Sequence, residues 1–458
     1  MLDRLHRCEG LMTAPRQDGR PLALAGGEIV LLRGALAGLG VIGSIVLARA
    51  LGPEGRGIYS LVLTAAGLCI SIGKLGLEQA SVFLLGSGQS SAHELAGQNG
   101  LLSVTAAPVG VVVMAALPLA LPEVFGEIPS LLLVLATISI PLSMHTQLSA
   151  GLVTLLGRPV WQFRAAVGGG LLHTTLLLWL FWIQRLDVIA GLAANLCALL
   201  ATWALTVSGL DSGERMPVRW DARLLQATLR QALVLHLGMI LFSLHLRMDI
   251  FFVKGIAGTH ALGIYSLAVT LAETVLFLPD SLAVAVLPRL IGNRLDDAAR
   301  YSLQAARVNC LLSGTAATVW IVLGQWLIPL CFGPAFAPAY LPVIGLLPGM
   351  LFLSMQRVCG GPTLRSGMPG RLVLIYGISL ACNAALNWWW IPRWGPTGAG
   401  LASSVSYGLG AVLFLQWTAR LGGVSFAAAM LPTRRDVELC RDAGRLGWAT
   451  LRRGSSLR

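Results

Sequence analysis

The sequence predicts an all-α, polytopic membrane protein: about twelve transmembrane helices in two parallel six-helix bundles around a central cavity. Three observations carry that expectation. Of 458 residues, 55% are hydrophobic and only 12% are charged, where a soluble chain is about a quarter charged. Long apolar runs follow one another with little between them. One phrase, Gly-Ile-Tyr-Ser-Leu, is written at residue 57 and again at residue 263.

A spanning helix needs roughly 20 mostly apolar residues. Twelve stretches qualify: 28–50, 58–86, 95–119, 129–155, 160–182, 188–208, 229–254, 262–289, 303–325, 337–365, 370–391 and 396–418. Runs this long and continuous are helices, because a barrel strand needs only about 10 alternating residues. The connections are too short for a soluble domain. The opening "MLDRLHRCEGLMTAPRQDGR" is polar and lacks the apolar centre of a signal peptide. Six of the eight cysteines lie in or beside apolar runs, and no Cys or His spacing matches a metal site.

Net charge is +12, but its distribution points to lipid rather than nucleic acid. With the N-terminus in the cytoplasm, one side collects Arg4, Arg7, Arg16, Arg20, Arg158, Arg215, Arg219, Arg223, Arg230, Arg294, Arg300, Arg365, Arg371 and the basic tail from Arg420. The other side keeps Arg49, Arg56, Arg185, Lys254 and Arg393. This is the positive-inside bias. It places both termini in the cytoplasm, and the excess charge faces anionic head groups.

The echo extends along the chain. Phe125-Gly126 matches Phe332-Gly333, Gly157-Arg158-Pro159 matches Gly367-Met368-Pro369, and Gly191-Leu192-Ala193 matches Gly400-Leu401-Ala402, all at offsets between 206 and 210. The expected organisation is a tail at 1–27, a six-helix half at 28–208, a linker at 209–228, a second half at 229–418 and a basic tail at 419–458. Six spans per half make the repeats parallel, an arrangement that transporters use to enclose a midplane site between two halves.

Four segments in order resemble bacterial polysaccharide-export flippases of the multidrug/oligosaccharidyl-lipid/polysaccharide superfamily. "SIVLARALGPEGRGIYSLVLTAAGLCISIGKLGLEQASVFLLG" (Ser44–Gly86) is similar to the family's opening: Ala-Arg-x-Leu-Gly, a turn, Gly-x-Tyr-Ser, then Gly-Leu-Asp/Glu. "RMDIFFVKGIAGTHALGIYSLA" (Arg247–Ala268) carries an Asp and the second Gly-x-Tyr-Ser. "CFGPAFAPAYLPVIGLLPG" (Cys331–Gly349) resembles the Phe-Gly-x-x-Phe start of span ten, and "NWWWIPRWGPTGAGLASSVSY" (Asn387–Tyr407) the junction before the last span. The resemblance covers about residues 28–420. It implies flipping of a polyprenyl-pyrophosphate-linked oligosaccharide across a bacterial inner membrane, by alternating access and without catalysis or a cofactor. Lipids, and the polymerase or glycosyltransferases of the same glycan, are the implied partners. Glu28 and Arg33 have no place in the motif.

A charge inside a span costs about 2.5–3.5 kcal/mol on insertion scales, so it faces the protein interior and usually has a role. A pyrophosphate calls for cations, and arginine's planar fork suits its oxygens. Arg33, Arg247 and Arg357 are the first candidates for head-group binding, with Lys74 and Arg164 as secondary ones. Asp249, Glu273 and Glu78 are candidates for a coupling proton or cation. Each has a structural alternative. Arg33 can snorkel to the interface, Arg247 can pair with Glu273 or Asp280, Arg357 can make a buried bond, and Lys74 can pair with Glu78 four residues on. His145, His173, His236 and His245 read as interhelical bonds, and Trp388-Trp389-Trp390 as an interfacial belt.

No GxxxxGK[ST] phosphate loop is present. A cation-coupled multidrug exporter of the same superfamily is the sibling reading. A membrane glycan polymerase or glycosyltransferase is the enzymatic one, although the outer loops leave little room for its acid and base.

Overall fold

The computed structural model describes residues 22–74, 76, 92–210, 222–277, 279, 294–366, 368–434 and 436–438, without the side chains at 22–26, 92–104, 155, 222–235, 361, 363–365 and 369. These residues are almost entirely helical, and eight of their helices are long and apolar enough to cross a membrane. The chain forms two compact units, Met1–Leu244 and His245–Arg458.

The first unit holds α1 (Leu22–Gly73), α2 (Ala92–Ala120), the short α3 (Pro122–Phe125), α4 (Ser130–Leu155), α5 (Pro159–Trp182), α6 (Val188–Ser208) and the start of α7 (Ala222–Glu273). The second holds the rest of α7, α8 (Leu295–Phe332), α9 (Tyr340–Arg365), α10 (Pro369–Gly422) and the short α11 (Phe426–Met430). In the first, α1 packs on α5 and α5 on α6, while α4 joins α2 to α6. In the second, α8, α9 and α10 pack pairwise.

Helices α1 and α7 are each 52 residues long. At 1.5 Å per residue that is about 78 Å, more than twice the hydrocarbon thickness. Both are broken by a glycine that leaves helical geometry: Gly52 (φ 62°, ψ −176°) and Gly258 (φ 85°, ψ 179°). Such a φ is open to glycine and strained for other residues. The two glycines are 206 residues apart, the interval of the Gly-Ile-Tyr-Ser-Leu echo. Helix α10 breaks likewise at Gly395 (φ 54°). Each broken helix supplies two spans. Together with the shorter apolar helix Thr105–Ala120, the described helices account for twelve apolar segments, as expected from the sequence.

Several ends differ from the sequence reading. Helix α1 starts at Leu22, ahead of residue 28, and α7 at Ala222, inside the stretch read as a linker. Helix α8 covers Leu295–Phe332 rather than 303–325. Asp296 and Asp297 lie in its first turn, where carboxylates suit the positive end of the helix dipole. The far parts of spans two and eight lie outside the described residues.

Packing is that of a protein dissolved in lipid. Large apolar side chains such as Leu31, Leu119, Trp182 and Leu330 are exposed. Small polar ones such as Ser302, Asn309, Ser313 and Ser379 are buried. Helices without a hydrophobic drive between them associate through close backbone approach and interhelical hydrogen bonds. At Gly400 of α10 a Cβ would sit 2.8 Å from the Pro342 carbonyl oxygen of α9, so only glycine permits that approach.

Candidate functional site

The second unit holds a buried polar network on α7 and α10. Asp249, on the first arm of α7, is 2% exposed. Its Oδ1 accepts from the Ile250 backbone N–H at 2.9 Å. Its Oδ2 accepts from the Tyr265 hydroxyl, carried by the second arm of the same helix, and from Ser403 Oγ of α10 at 3.3 Å. The break at Gly258 brings Tyr265 back to Asp249. One turn before Asp249, His245 Nε2 meets Ser406 Oγ at 3.0 Å. Asn383 Nδ2 donates to Ser406 Oγ at 3.1 Å and to Ser403 Oγ at 3.4 Å. Asn387 Nδ2 donates to Asn383 Oδ1 at 2.8 Å. Two acceptor-capable atoms of this network, His245 Nδ1 and Asn387 Oδ1, are buried without a hydrogen-bond partner.

Asp249 thus has three donors and, among the described residues, no ion pair. These donors and the Arg247 guanidinium, which is in electrostatic reach, offset part of the cost of a charge buried this deeply. A buried carboxylate held by hydroxyl and backbone donors in this way can take up and release a proton. Glu273 is not part of it: Arg247 Nη1 pairs with Glu273 Oε1 at 2.9 Å, both side chains being little more than a third exposed. Among the described residues no group of three His, Cys, Asp or Glu is placed to bind a metal.

The candidate cations are divided between the units. In the first, Arg33 lies over the Phe163 ring at 6.0 Å from its centroid. The next residue, Arg164, donates from Nε to Glu28 Oε1 at 2.9 Å. Glu28 and Arg164 therefore pair across the seam of α1 and α5, partly open, with Arg33 against the neighbouring Phe163. Lys74 Nζ donates to Gln147 Oε1 of α4 at 2.8 Å. Glu78 and Asp280 lie outside the described residues. In the second unit Arg247 takes the structural pairing anticipated for it, and Arg357 of α9 is exposed, with Tyr376 in its electrostatic reach. His145 accepts from Trp203 Nε1 at 2.9 Å and His236 meets the Ile72 carbonyl oxygen at 3.0 Å, both between helices.

Tyr265, Asn383, Asn387, Ser403 and Ser406 escaped the sequence reading, which was led by charge. A signal was available in the echo. At the positions of the first half that correspond to Asp249, Tyr265 and Ser403 stand Gly43, Tyr59 and Ala194. The tyrosine is shared, but Asp249 and Ser403 have no polar counterpart in the first half.

A protein-family profile described as "Polysaccharide biosynthesis protein" matches residues 26–292. The chain belongs to that family. No curated protein matches the sequence. Solved structures share its fold at low identity. One is described as an inward-facing multidrug resistance MATE family transporter of the MOP superfamily, with TM-score 0.64 and 13% identity over 86% of this chain and 98% of the other. Another is the lipid II flippase MurJ in an inward closed conformation, with TM-score 0.62 and 12% identity over 86% and 89%. A third is a Vibrio cholerae MATE transporter, with TM-score 0.54 and 12% identity over 88% and 97%. This member of the polysaccharide biosynthesis family therefore has the all-helical fold of MATE transporters and MurJ, and the resemblance to the superfamily's flippases holds. At 12–14% identity the likeness extends to fold alone.

Proposed function

We propose that the protein flips a polyprenyl-pyrophosphate-linked oligosaccharide across a bacterial inner membrane for surface polysaccharide synthesis, by alternating access. The carrying observation is that a chain of the polysaccharide biosynthesis family places arginines within apolar helices of both units: Arg33 and Arg164 in the first, Arg247 and Arg357 in the second. A diphosphate is the lipid-borne anion that such cations suit, and guanidinium groups match its oxygens. In this reading the residues at 28–208 and 229–418 are two parallel repeats, with both termini in the cytoplasm. Arg33, Arg247 and Arg357 bind the head group, helped by Lys74 and Arg164. Asp249 carries the coupling proton or cation, and the half-open Arg247–Glu273 pair exchanges partners when the diphosphate arrives. Glu78 remains a further carboxylate candidate from the sequence. The polymerase and glycosyltransferases of the same glycan act beside this protein, which performs no bond chemistry itself.

The MATE-like fold favours one second reading, a cation-coupled exporter of a smaller molecule. Deleting the gene separates the two. Loss of one surface glycan, with its lipid-linked unit retained on the cytoplasmic leaflet, supports the flippase. An intact glycan with raised drug sensitivity supports the exporter.

A further inference from the structure

The chain does not leave the last span as a loose tail. Gly423 takes the left-handed conformation (φ 64°), and Arg300 Nε of α8 donates to the Gly422 carbonyl oxygen at 2.8 Å. Ser425 then caps α11 by accepting from the Ala428 N–H at 3.3 Å. Ala429 is fully buried, in one cluster with Leu303, Ala306, Cys359 and Phe414. Beyond it Thr433 and Asp436 form a reciprocal cap. Asp436 Oδ2 accepts from the Thr433 N–H at 2.8 Å and its hydroxyl at 2.7 Å, and the Asp436 N–H donates back at 3.3 Å. This is the capping-box pattern that starts a helix. Arg307 of α8 closes the arrangement: Nε donates to Asp436 Oδ2 at 2.7 Å, Nη2 to Oδ1 at 3.4 Å and Nη1 to the Ala428 carbonyl oxygen at 3.0 Å. Its partner Asp436 is 0% exposed.

Residues 424–434 and 436–438 are thus a strap fixed to the N-terminal part of α8, and it has two faces. Val424, Ala429 and Asp436 point inward. Phe426, Leu431 and Val437 point outward, 38%, 64% and 47% exposed, with Thr433 and Arg434 exposed among them. Apolar side chains interleaved with arginine suit neither bulk water nor hydrocarbon; they suit the head-group boundary. Residues 420–458 hold eight arginines against three acids. One of those acids, Asp436, is already neutralised by Arg307. By sequence this segment is therefore strongly basic, and Arg434 and Glu438 are the exposed charges among the described residues of the strap.

We infer that the strap's outer face, Phe426, Leu431, Val437 and Arg434, is an anionic-lipid docking surface, held in its pose by the Arg307–Asp436 clamp. A leaflet rich in acidic phospholipid is its partner, since each arginine near such a surface adds about 1 kcal/mol of attraction. The inference rests on the strap alone and stands whichever substrate the protein moves.

The test uses the full-length protein in lipid discs of phosphatidylcholine alone, or of phosphatidylcholine with phosphatidylglycerol. Trypsin cleavage after Arg434 is followed by mass spectrometry. Cleavage is expected to be about tenfold slower in the anionic discs, the effect of one to two engaged arginines. High salt and the exposed double change Leu431→Glu/Val437→Glu should each remove that protection. Asp436→Asn should speed cleavage in both discs by freeing the clamp. Equal cleavage in the two lipids, whether fast or slow, overturns the inference, as does protection that survives the double change. An unaltered rate for Asp436→Asn overturns the clamp's part in it.

Discussion

The Tyr265 hydroxyl donates to the Asp249 carboxylate across the break in α7, joining the two arms of one helix 16 residues apart in sequence. The bond couples a buried carboxylate to the turn at Gly258. A change in the charge of Asp249 is therefore felt by both arms, which is what a coupling group needs.

Asp249→Asn keeps the shape and removes the charge. Transport driven by a proton or sodium gradient is expected to lose its dependence on that gradient, with export lowered about tenfold or more and protein level unchanged; one lost hydrogen bond to a charged group is worth about 1.5–3 kcal/mol. Tyr265→Phe should be milder and should retain gradient dependence. Comparing export against imposed gradients in membrane vesicles checks both.

The broken helices make a backbone prediction. Gly52→Val and Gly258→Val each force a β-branched residue to a φ near 60–85°, at an expected cost of roughly 1–3 kcal/mol. Thermal unfolding in detergent should fall by similar amounts for the two. Gly38, which lies within the first arm of α1 with open space around it, should tolerate Ala without loss.

The seam of α1 and α5 separates binding from structure. If Arg164 serves only Glu28, then Arg164→Ala and Glu28→Gln should have the same effect on export. The expected result is different. Arg33→Ala and Arg164→Ala should each lower glycan export, while Glu28→Gln, which frees a guanidinium for the diphosphate, should leave it near the wild-type level. Export of surface glycan at matched protein levels reads this out.

The strap carries a pH dependence. Burial alone would raise the Asp436 carboxyl, but the Arg307 guanidinium and both Thr433 donors outweigh it and hold it below the usual carboxylate range. A carboxyl depressed on folding stabilises above its unfolded value near 3.9 and loses that contribution as pH falls through the folded value. The stability gap between wild type and Asp436→Asn should accordingly be constant at neutral pH and close below about pH 4. Thermal unfolding across that range measures it.

Much of this architecture was legible because lipid imposes it. Long apolar runs have one folded answer in hydrocarbon, and a glycine turn written twice marks where two helices break. Charge was legible for the same reason, and it pointed to Asp249, Glu273 and the arginines. Asn383, Asn387, Ser403 and Ser406 were not legible locally, because in a membrane helix small polar residues usually serve packing. Only the chain of hydrogen bonds that joins them to Asp249 through Ser403 distinguishes them. Glu28 had no assigned role because its partner, Arg164, is 136 residues away. The strap was hidden for a related reason: a polar tail after the last span looks the same whether or not one arginine of α8 holds its carboxylate.

The most direct measurement reconstitutes the purified protein in liposomes with a fluorescent polyprenyl-pyrophosphate oligosaccharide and follows its arrival in the opposite leaflet by quenching. Protein-dependent translocation, sharply reduced in Arg33→Ala and Arg247→Ala and insensitive to replacing the terminal sugar, is the expected result. Translocation no faster than in protein-free liposomes, alongside gradient-driven efflux of a small cationic dye, would contradict it.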